Sequence, residues 1–137
     1  MEGKVRLTIT GIQSGFGEKD TSELITTADY FEKGEKIYIF YGEYTEERLR
    51  IQNRLTVAPD YVELKKNGNG PSVLLFRKGK KERCSYQSPM GAMELLSDTR
   101  KIAVTTREDY FCLELKYALF MGGQFMSDYE LRVTARK

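Results

Sequence analysis

Apolar and polar residues alternate with a period of two along most of the chain. Val5, Leu7 and Ile9 alternate with polar neighbours, a pattern that is typical of a strand with one buried face. Three later segments repeat it, with apolar faces formed by Leu49, Ile51, Leu55 and Val57; by Phe111, Leu113, Leu115, Tyr117 and Leu119; and by Phe125, Tyr129, Leu131 and Val133. No run of ten residues fits a helical stripe better than a strand. The chain is therefore predicted to be all-β.

Turn signals rich in glycine separate these runs at short intervals. Turns are predicted at residues 14–17, 33–35, 67–71, 78–80 and 121–124. Counting the runs between them gives about ten strands, joined mostly as hairpins. Short antiparallel strands that each have one apolar face must close into a barrel or stack as a sandwich, because an open sheet would leave free edges and a bare apolar face. We expect one domain over residues 1–137.

Composition excludes several kinds of chemistry. The chain has no histidine and only two cysteines, so His-dependent triads and the usual zinc sites are not available to it. Cys84 and Cys112 lack the spacing of metal ligands, and the first residues do not resemble an export signal. We therefore expect two reduced thiols in a cytoplasmic protein, with no metal, no cofactor, no membrane segment and no enzymatic activity.

The net charge is only +2, which argues against nucleic-acid binding without excluding it. Arginines at 48, 50 and 54 are predicted to form a ladder on one strand face, and a basic hairpin follows at residues 77–83. Together they form a candidate binding surface for phosphate, RNA or protein, made of Arg48, Arg50, Arg54, Arg77, Lys78, Lys80, Lys81 and Arg83. The alternative is an ordinary solvated surface whose lysines discourage pairing at strand edges.

Three segments together resemble the YwiB-like family of uncharacterised bacterial proteins. They are residues 38–43, which end in Tyr-x-Glu; residues 86–95, which contain Ser-Pro-Met-Gly; and residues 113–119. The resemblance implies a calycin (lipocalin-like) barrel, closed and antiparallel, of about 8–10 strands in largely meander order, and it implies no reaction. One departure is Lys66, which stands where the family has the arginine of Arg-x-Gly, so a role that needs a bidentate guanidinium there is in doubt.

Calycin barrels commonly hold small apolar ligands, and four residues are candidates to orient one: Tyr41, Glu43, Asn53 and Tyr86. Asn53 falls on the apolar face of its strand, where it either meets a ligand or bonds to backbone or buried water. Tyr41 and Glu43 share a face whose direction is open, because residues 37–41 are apolar on both sides. If that face points inward, Glu43 needs a donor such as Tyr86 or an arginine.

The corner at Pro89 and Gly91 is predicted to be either structural or part of the barrel mouth. The leading hypothesis is a non-catalytic barrel that binds a small, mostly apolar ligand in its interior. The alternative is a protein- or RNA-interaction module that uses the basic surface, and a homodimer is compatible with both.

Overall fold

The computed structural model describes residues 1–68, 70–88 and 90–137. The strands in these residues are β1 (Gly3–Gly15), β2 (Glu18–Lys33), β3 (Lys36–Tyr44), β4 (Arg50–Val57), β5 (Val62–Asn67), β6 (Pro71–Phe76), β7 (Lys81–Ser88), β8 (Gly91–Arg107), β9 (Tyr110–Met121) and β10 (Gln124–Arg136). Asn69 of the predicted turn at residues 67–71 and Pro89 of the predicted corner lie outside the described residues.

The strands form one closed barrel in meander order. Each strand pairs antiparallel with its neighbours along the chain, and β1 closes the barrel by pairing with β10. The prediction of an all-β, closed antiparallel barrel is therefore confirmed. In the part of the chain that the structure describes, there is no helix of the length and apolar character needed to cross a bilayer.

Aromatic and aliphatic side chains fill the inside of the barrel. Tyr30, Phe76 and Phe111 are at most 1% exposed. The rings of Phe76 and Tyr117 lie 4.4 Å apart between centroids, and Tyr30 meets Phe111 edge-on at 5.9 Å. Burying a large apolar side chain contributes about 1.5–3 kcal/mol relative to leaving it exposed, so this core is the main source of stability.

The predicted inward faces are correct for most strands. Val5 and Leu7 on β1 are buried, and so is the whole predicted face of β9. On β4, Leu55 and Val57 are buried together with Asn53. The period of two therefore identifies the core side wherever the strand is regular.

Phe125 is an exception, and its predicted inward position is wrong. The register of β10 against β9 shifts between Phe125 and Ser127, so that Ser127 lies opposite Leu119 while Phe125 lies opposite Phe120. Leu119 belongs to the core, which puts Phe125 on the outer face, where its ring is 5.9 Å from that of Phe16. The extra residue of a β-bulge reverses the side-chain alternation.

Arg48 is also misplaced by the simple pattern. Strand β4 begins at Arg50, so Arg48 and Leu49 belong to the preceding loop. Arg48 has a φ of 62°, and its N–H donates to the carbonyl of Thr45 at 2.9 Å. The Leu49 N–H donates to the Thr45 hydroxyl at 3.1 Å. The arginine ladder predicted on one strand face therefore does not include Arg48.

The contact between β6 and β7 depends on side chains more than on backbone pairing. Within the described residues, Val73 and Ser85 are the one pair of register partners between these strands. The Leu75 carbonyl accepts from the Ser97 hydroxyl at 2.6 Å, and the Leu75 N–H donates to Cys84 Sγ at 3.3 Å. Buried small polar residues thus satisfy backbone groups that a regular ladder would satisfy.

We predict that Ser97→Ala lowers the free energy of unfolding by about 1–3 kcal/mol, because it leaves the Leu75 carbonyl with only the weak Cys84 thiol donor at 3.7 Å. Urea unfolding at neutral pH measures the change. The control is Ser85→Ala, which alters an exposed serine at the same contact and should change stability by less than about 0.5 kcal/mol. Equal losses in both variants would contradict the role given to Ser97.

A second prediction concerns alkaline pH. Burial raises the pKa of the Tyr41 and Tyr117 phenols well above the usual value of these groups. Above about pH 10 the unfolded chain therefore loses protons that the folded chain keeps, so stability falls as the pH rises. Urea midpoints between pH 8 and pH 11 should show this fall, and the Tyr41→Phe and Tyr117→Phe double variant should show a shallower one. An equally steep fall in the double variant would refute the assignment.

Candidate ligand site at the barrel mouth

One end of the barrel opens into a pocket of about 400 Å³. Alternate strands of a meander run in the same direction, so the turns that follow β3, β5 and β7 lie at the same end. Residues of the first two of these turns and of the end of β7 form the rim, and inward side chains of β4, β5 and β6 form the base. The lining consists of Thr45, Glu46, Glu47, Leu49, Ile51, Lys66, Gly68, Gly70, Ser72, Tyr86 and Gln87.

Beneath this mouth, three adjacent strands bring together a polar cluster of Glu43, Asn53 and Lys66. Glu43 Oε1 accepts from Asn53 Nδ2 at 3.0 Å and from Lys66 Nζ at 3.0 Å. The register explains the arrangement, because Asn53 of β4 lies opposite Tyr41 on β3 and opposite Lys66 on β5. The structure thus brings Tyr41, Glu43 and Asn53, three of the four predicted candidates, close together.

The direction of the Tyr41–Glu43 face, which the sequence left open, is inward. Tyr41 is 9% exposed and belongs to the core, and Glu43 follows two residues later on the same face. Burial, and after it the charge of Glu43, raises the pKa of the Tyr41 phenol. Tyr41 is therefore neutral at physiological pH and forms a floor under the charged pair.

The donors to Glu43 are Asn53 and Lys66, rather than Tyr86 or an arginine. Tyr86 is 41% exposed and lines the pocket at the rim. Lys66 was not predicted as a site residue. The departure from Arg-x-Gly marked position 66 in the sequence, but only the register, which places Lys66 opposite Asn53, brings its ammonium to Glu43.

Asn53 leaves one polar atom without a partner. Its side chain is 3% exposed, and its Oδ1 accepts no hydrogen bond from any residue that the structure describes. An unsatisfied buried acceptor costs about 1–3 kcal/mol, unless water or a bound molecule supplies a donor. The cluster therefore has unused capacity to accept a hydrogen bond.

Lys66 and Glu43 form an ion pair in this cluster, and their side chains are 33% and 27% exposed. Such a pair can orient a polar group of a ligand by offering an ammonium on one side and a carboxylate on the other. Across residues 1–68, 70–88 and 90–137, no three Asp, Glu or Cys side chains come close enough to hold a metal ion.

The arginines of the predicted basic surface mostly contact carboxylates. The ion pairs are Arg54 with Glu63 at 3.4 Å, Arg77 with Asp60 at 3.3 Å and with Glu82 at 3.2 Å, and Arg83 with Glu94 at 3.7 Å. Their positive charge is thus largely balanced locally.

The remaining residues of that surface are spread apart. Arg50 packs along the outer side of Gly42, whereas Lys81 Nζ lies 5.5 Å from the centre of the Phe120 ring. Lys78 and Lys80 belong to the segment before β7, and the backbone of Lys78 forms an isolated β-bridge with Thr99 of β8. Strands β5 and β6 separate the arginines of β4 from this hairpin, so the eight residues do not form one continuous patch.

The fold and the mouth define a small closed barrel of ten antiparallel strands with a charged cluster at one end. Residues 7–133 match the family described as a domain of unknown function, DUF1934, and the chain belongs to that family. The crystal structure of the YwiB protein from Bacillus subtilis is similar, with a TM-score of 0.87 and 20% identity, over 98% of this chain and 92% of that one. This confirms the predicted resemblance to YwiB-like proteins. No curated protein matches the chain.

The contribution of the Lys66–Glu43 ion pair can be tested by measuring the free energy of unfolding of variants. Lys66→Met leaves the Glu43 carboxylate without its cation, and we expect the free energy of unfolding to fall by about 1–2 kcal/mol. Adding Glu43→Gln should recover part of this loss, because it removes the unpaired charge. The control is Lys65→Met, since Lys65 lies on the outer face, 3.9 Å from Glu63, and exposed pairs contribute about 0–1 kcal/mol. A full double-mutant cycle with no coupling energy would contradict the pair's role.

Proposed function

We propose that this protein is a non-catalytic binding protein that takes a small, mostly apolar molecule into the mouth of its barrel. The observation that carries the proposal is the inward cluster of Glu43, Asn53 and Lys66 directly under a pocket of about 400 Å³. Ligand sites combine apolar walls with a few placed polar groups, and this mouth has both.

The pocket offers an apolar wall and a polar base. Leu49, Ile51 and Tyr86 supply aliphatic and aromatic surface, whereas Lys66 and Ser72 supply polar groups. A ligand would lay its apolar body against the wall and turn one polar group toward Lys66. The calycin fold that the family resemblance implies supports this use, since closed barrels of about this size can hold one small ligand.

The core limits how deep such a ligand can lie. Tyr41, Leu55 and Leu64 are buried just below the cluster and belong to the continuous core of the barrel. We therefore place the ligand in the outer part of the interior, above Tyr41. This narrows the original hypothesis from the barrel interior as a whole to its mouth.

The alternative function, a protein- or RNA-interaction module on the basic surface, stays a prediction. The ion pairs of Arg54, Arg77 and Arg83 favour the ligand-binding proposal, because nucleic-acid binding depends on cations free to neutralise phosphates. The absence of enzymatic activity also stays a prediction, as does a location in the cytoplasm.

Binding can be tested with N-phenyl-1-naphthylamine, a neutral probe whose fluorescence rises in apolar surroundings. We expect a saturable rise, and we expect Ile51→Ser and Tyr86→Ala each to weaken binding about three- to tenfold, because each removes apolar contact worth about 1 kcal/mol. Decanol should displace the probe.

The matched control is Ile25→Ser, because Ile25 lies on β2 and is 51% exposed away from the mouth. Its probe affinity should equal that of the unaltered protein. The proposal fails if the fluorescence does not saturate, or if Ile25→Ser weakens binding as much as Ile51→Ser does.

A further inference from the structure

A second recess lies on the outer surface of the barrel, on β2, β3 and β4, and the inner faces of β3 and β4 carry Glu43 and Asn53 of the charged cluster. Phe31 of β2 lies opposite Tyr38 of β3, and Phe40 follows on the same face. The Phe31 and Phe40 rings meet edge to face, with centroids 6.0 Å apart and an angle of 70°. They are 43% and 41% exposed. These rings add nothing to the core, which the alternate residues of the same strands fill.

Strand β4 adds two polar groups beside the rings. Arg54 lies opposite Phe40, and Thr56 lies opposite Tyr38. The guanidinium contacts Glu63 through one nitrogen at 3.4 Å, which is long for a charge-assisted bond. Arg54 Nε and the hydroxyl of Thr56, a residue only 4% exposed, are buried without a partner among the residues described. The residues around Arg54 therefore satisfy only part of the hydrogen-bonding capacity of its guanidinium.

The rings and Arg54 border an open surface recess of about 440 Å³, lined by Phe31, Glu32, Lys33, Tyr38, Phe40 and Arg54. Glu32 in this lining accepts a hydrogen bond from the Tyr30 hydroxyl at 3.1 Å. Asp29, opposite Phe40, forms an ion pair with Lys4 at 2.8 Å. Lys33 has no carboxylate within ion-pair distance in the described part of the chain. The lining thus combines aromatic walls with two cations and one carboxylate.

We propose that this recess binds a small planar aromatic anion. The ring of the ligand would pack against Phe31 and Phe40, and its carboxylate or phosphate would pair with Arg54. Aromatic rings attract other rings in offset or edge-to-face arrangements, and a guanidinium fork matches the two oxygens of a carboxylate or phosphate. The site is separate from the mouth, because side chains at 38, 40 and 54 point to the face opposite those at 41, 43 and 53.

Glu63 is the internal competitor of such a ligand. It contacts both Arg54 at 3.4 Å and Lys65 at 3.9 Å, so it neutralises part of the charge that an anion would meet. Removing its charge without removing its shape should strengthen anion binding. This expected gain separates the proposal from a purely structural role for Arg54, because loss of a structural ion pair would not improve affinity.

The test compares 2-naphthoate with 2-naphthamide, which share the ring and differ in charge, by isothermal titration calorimetry at low salt. We expect the acid to bind at least about tenfold more tightly, as one charge-assisted contact allows. Arg54→Met and Phe40→Ala should each weaken naphthoate binding about tenfold, and Glu63→Gln should tighten it about threefold. Arg54→Lys keeps the charge without the fork and should give an intermediate affinity, and it serves if Arg54→Met does not fold.

The matched controls are Arg83→Met and Glu94→Gln, which alter another outer arginine–glutamate pair, 3.7 Å apart, whose residues do not line the recess. Neither should change naphthoate affinity. Equal binding of the acid and the amide, no measurable binding of the acid, or unchanged affinity in both Arg54 variants would overturn the proposal. Loss of naphthoate binding in Tyr86→Ala but not in Phe40→Ala would also overturn it, by moving the ligand to the mouth.

Discussion

Closure of the sheet is the constraint on which the rest of this structure depends. β1 and β10 pair along nine consecutive positions, from Arg6 with Arg136 to Ser14 with Asp128, and this pairing turns a ten-stranded meander into a barrel with an inside and an outside. An open sheet would expose two edges and one apolar face. In the closed barrel, each side chain of a strand points either inward or outward. The period of two in the sequence therefore decides which residues can form an interior site, as well as which residues form the core.

Strands β3 and β4 carry different side chains on their inner and outer faces as a result of this alternation. Their inward positions supply Tyr41, Glu43 and Asn53, which lie under the mouth, while their outward positions supply Phe40 and Arg54. Two chemically different surfaces therefore lie back to back on the same pair of strands, separated only by the thickness of the backbone. Lys65 and Lys66 repeat the division on β5, where one lysine pairs outside with Glu63 and the next pairs with Glu43.

Most of the fold could be predicted from the sequence, because alternation and turn residues are local signals. The errors arise where a single residue breaks the alternation: the bulge that turns Phe125 outward, and the positive φ of Arg48. The site was less predictable. Asn53 could be recognised from the sequence, because it is a polar residue on an apolar strand face. The direction of the Glu43 side chain could not be predicted, because both faces of the preceding residues are apolar. Lys66 became a site residue only through the register of three strands, which no local pattern contains.

The charged cluster is one of the observations that support the proposed binding of a ligand at the mouth. Partly buried ion pairs lose much of their Coulomb attraction to desolvation, and replacing such a pair with apolar residues is often neutral or stabilising. Leucines or valines at the positions of Glu43, Asn53 and Lys66 would continue the core made by Tyr41, Leu55 and Leu64. Asn53 adds a further cost through its unpaired Oδ1. A cluster that a purely structural barrel would do better without supports the proposal that a ligand binds in the pocket above Lys66.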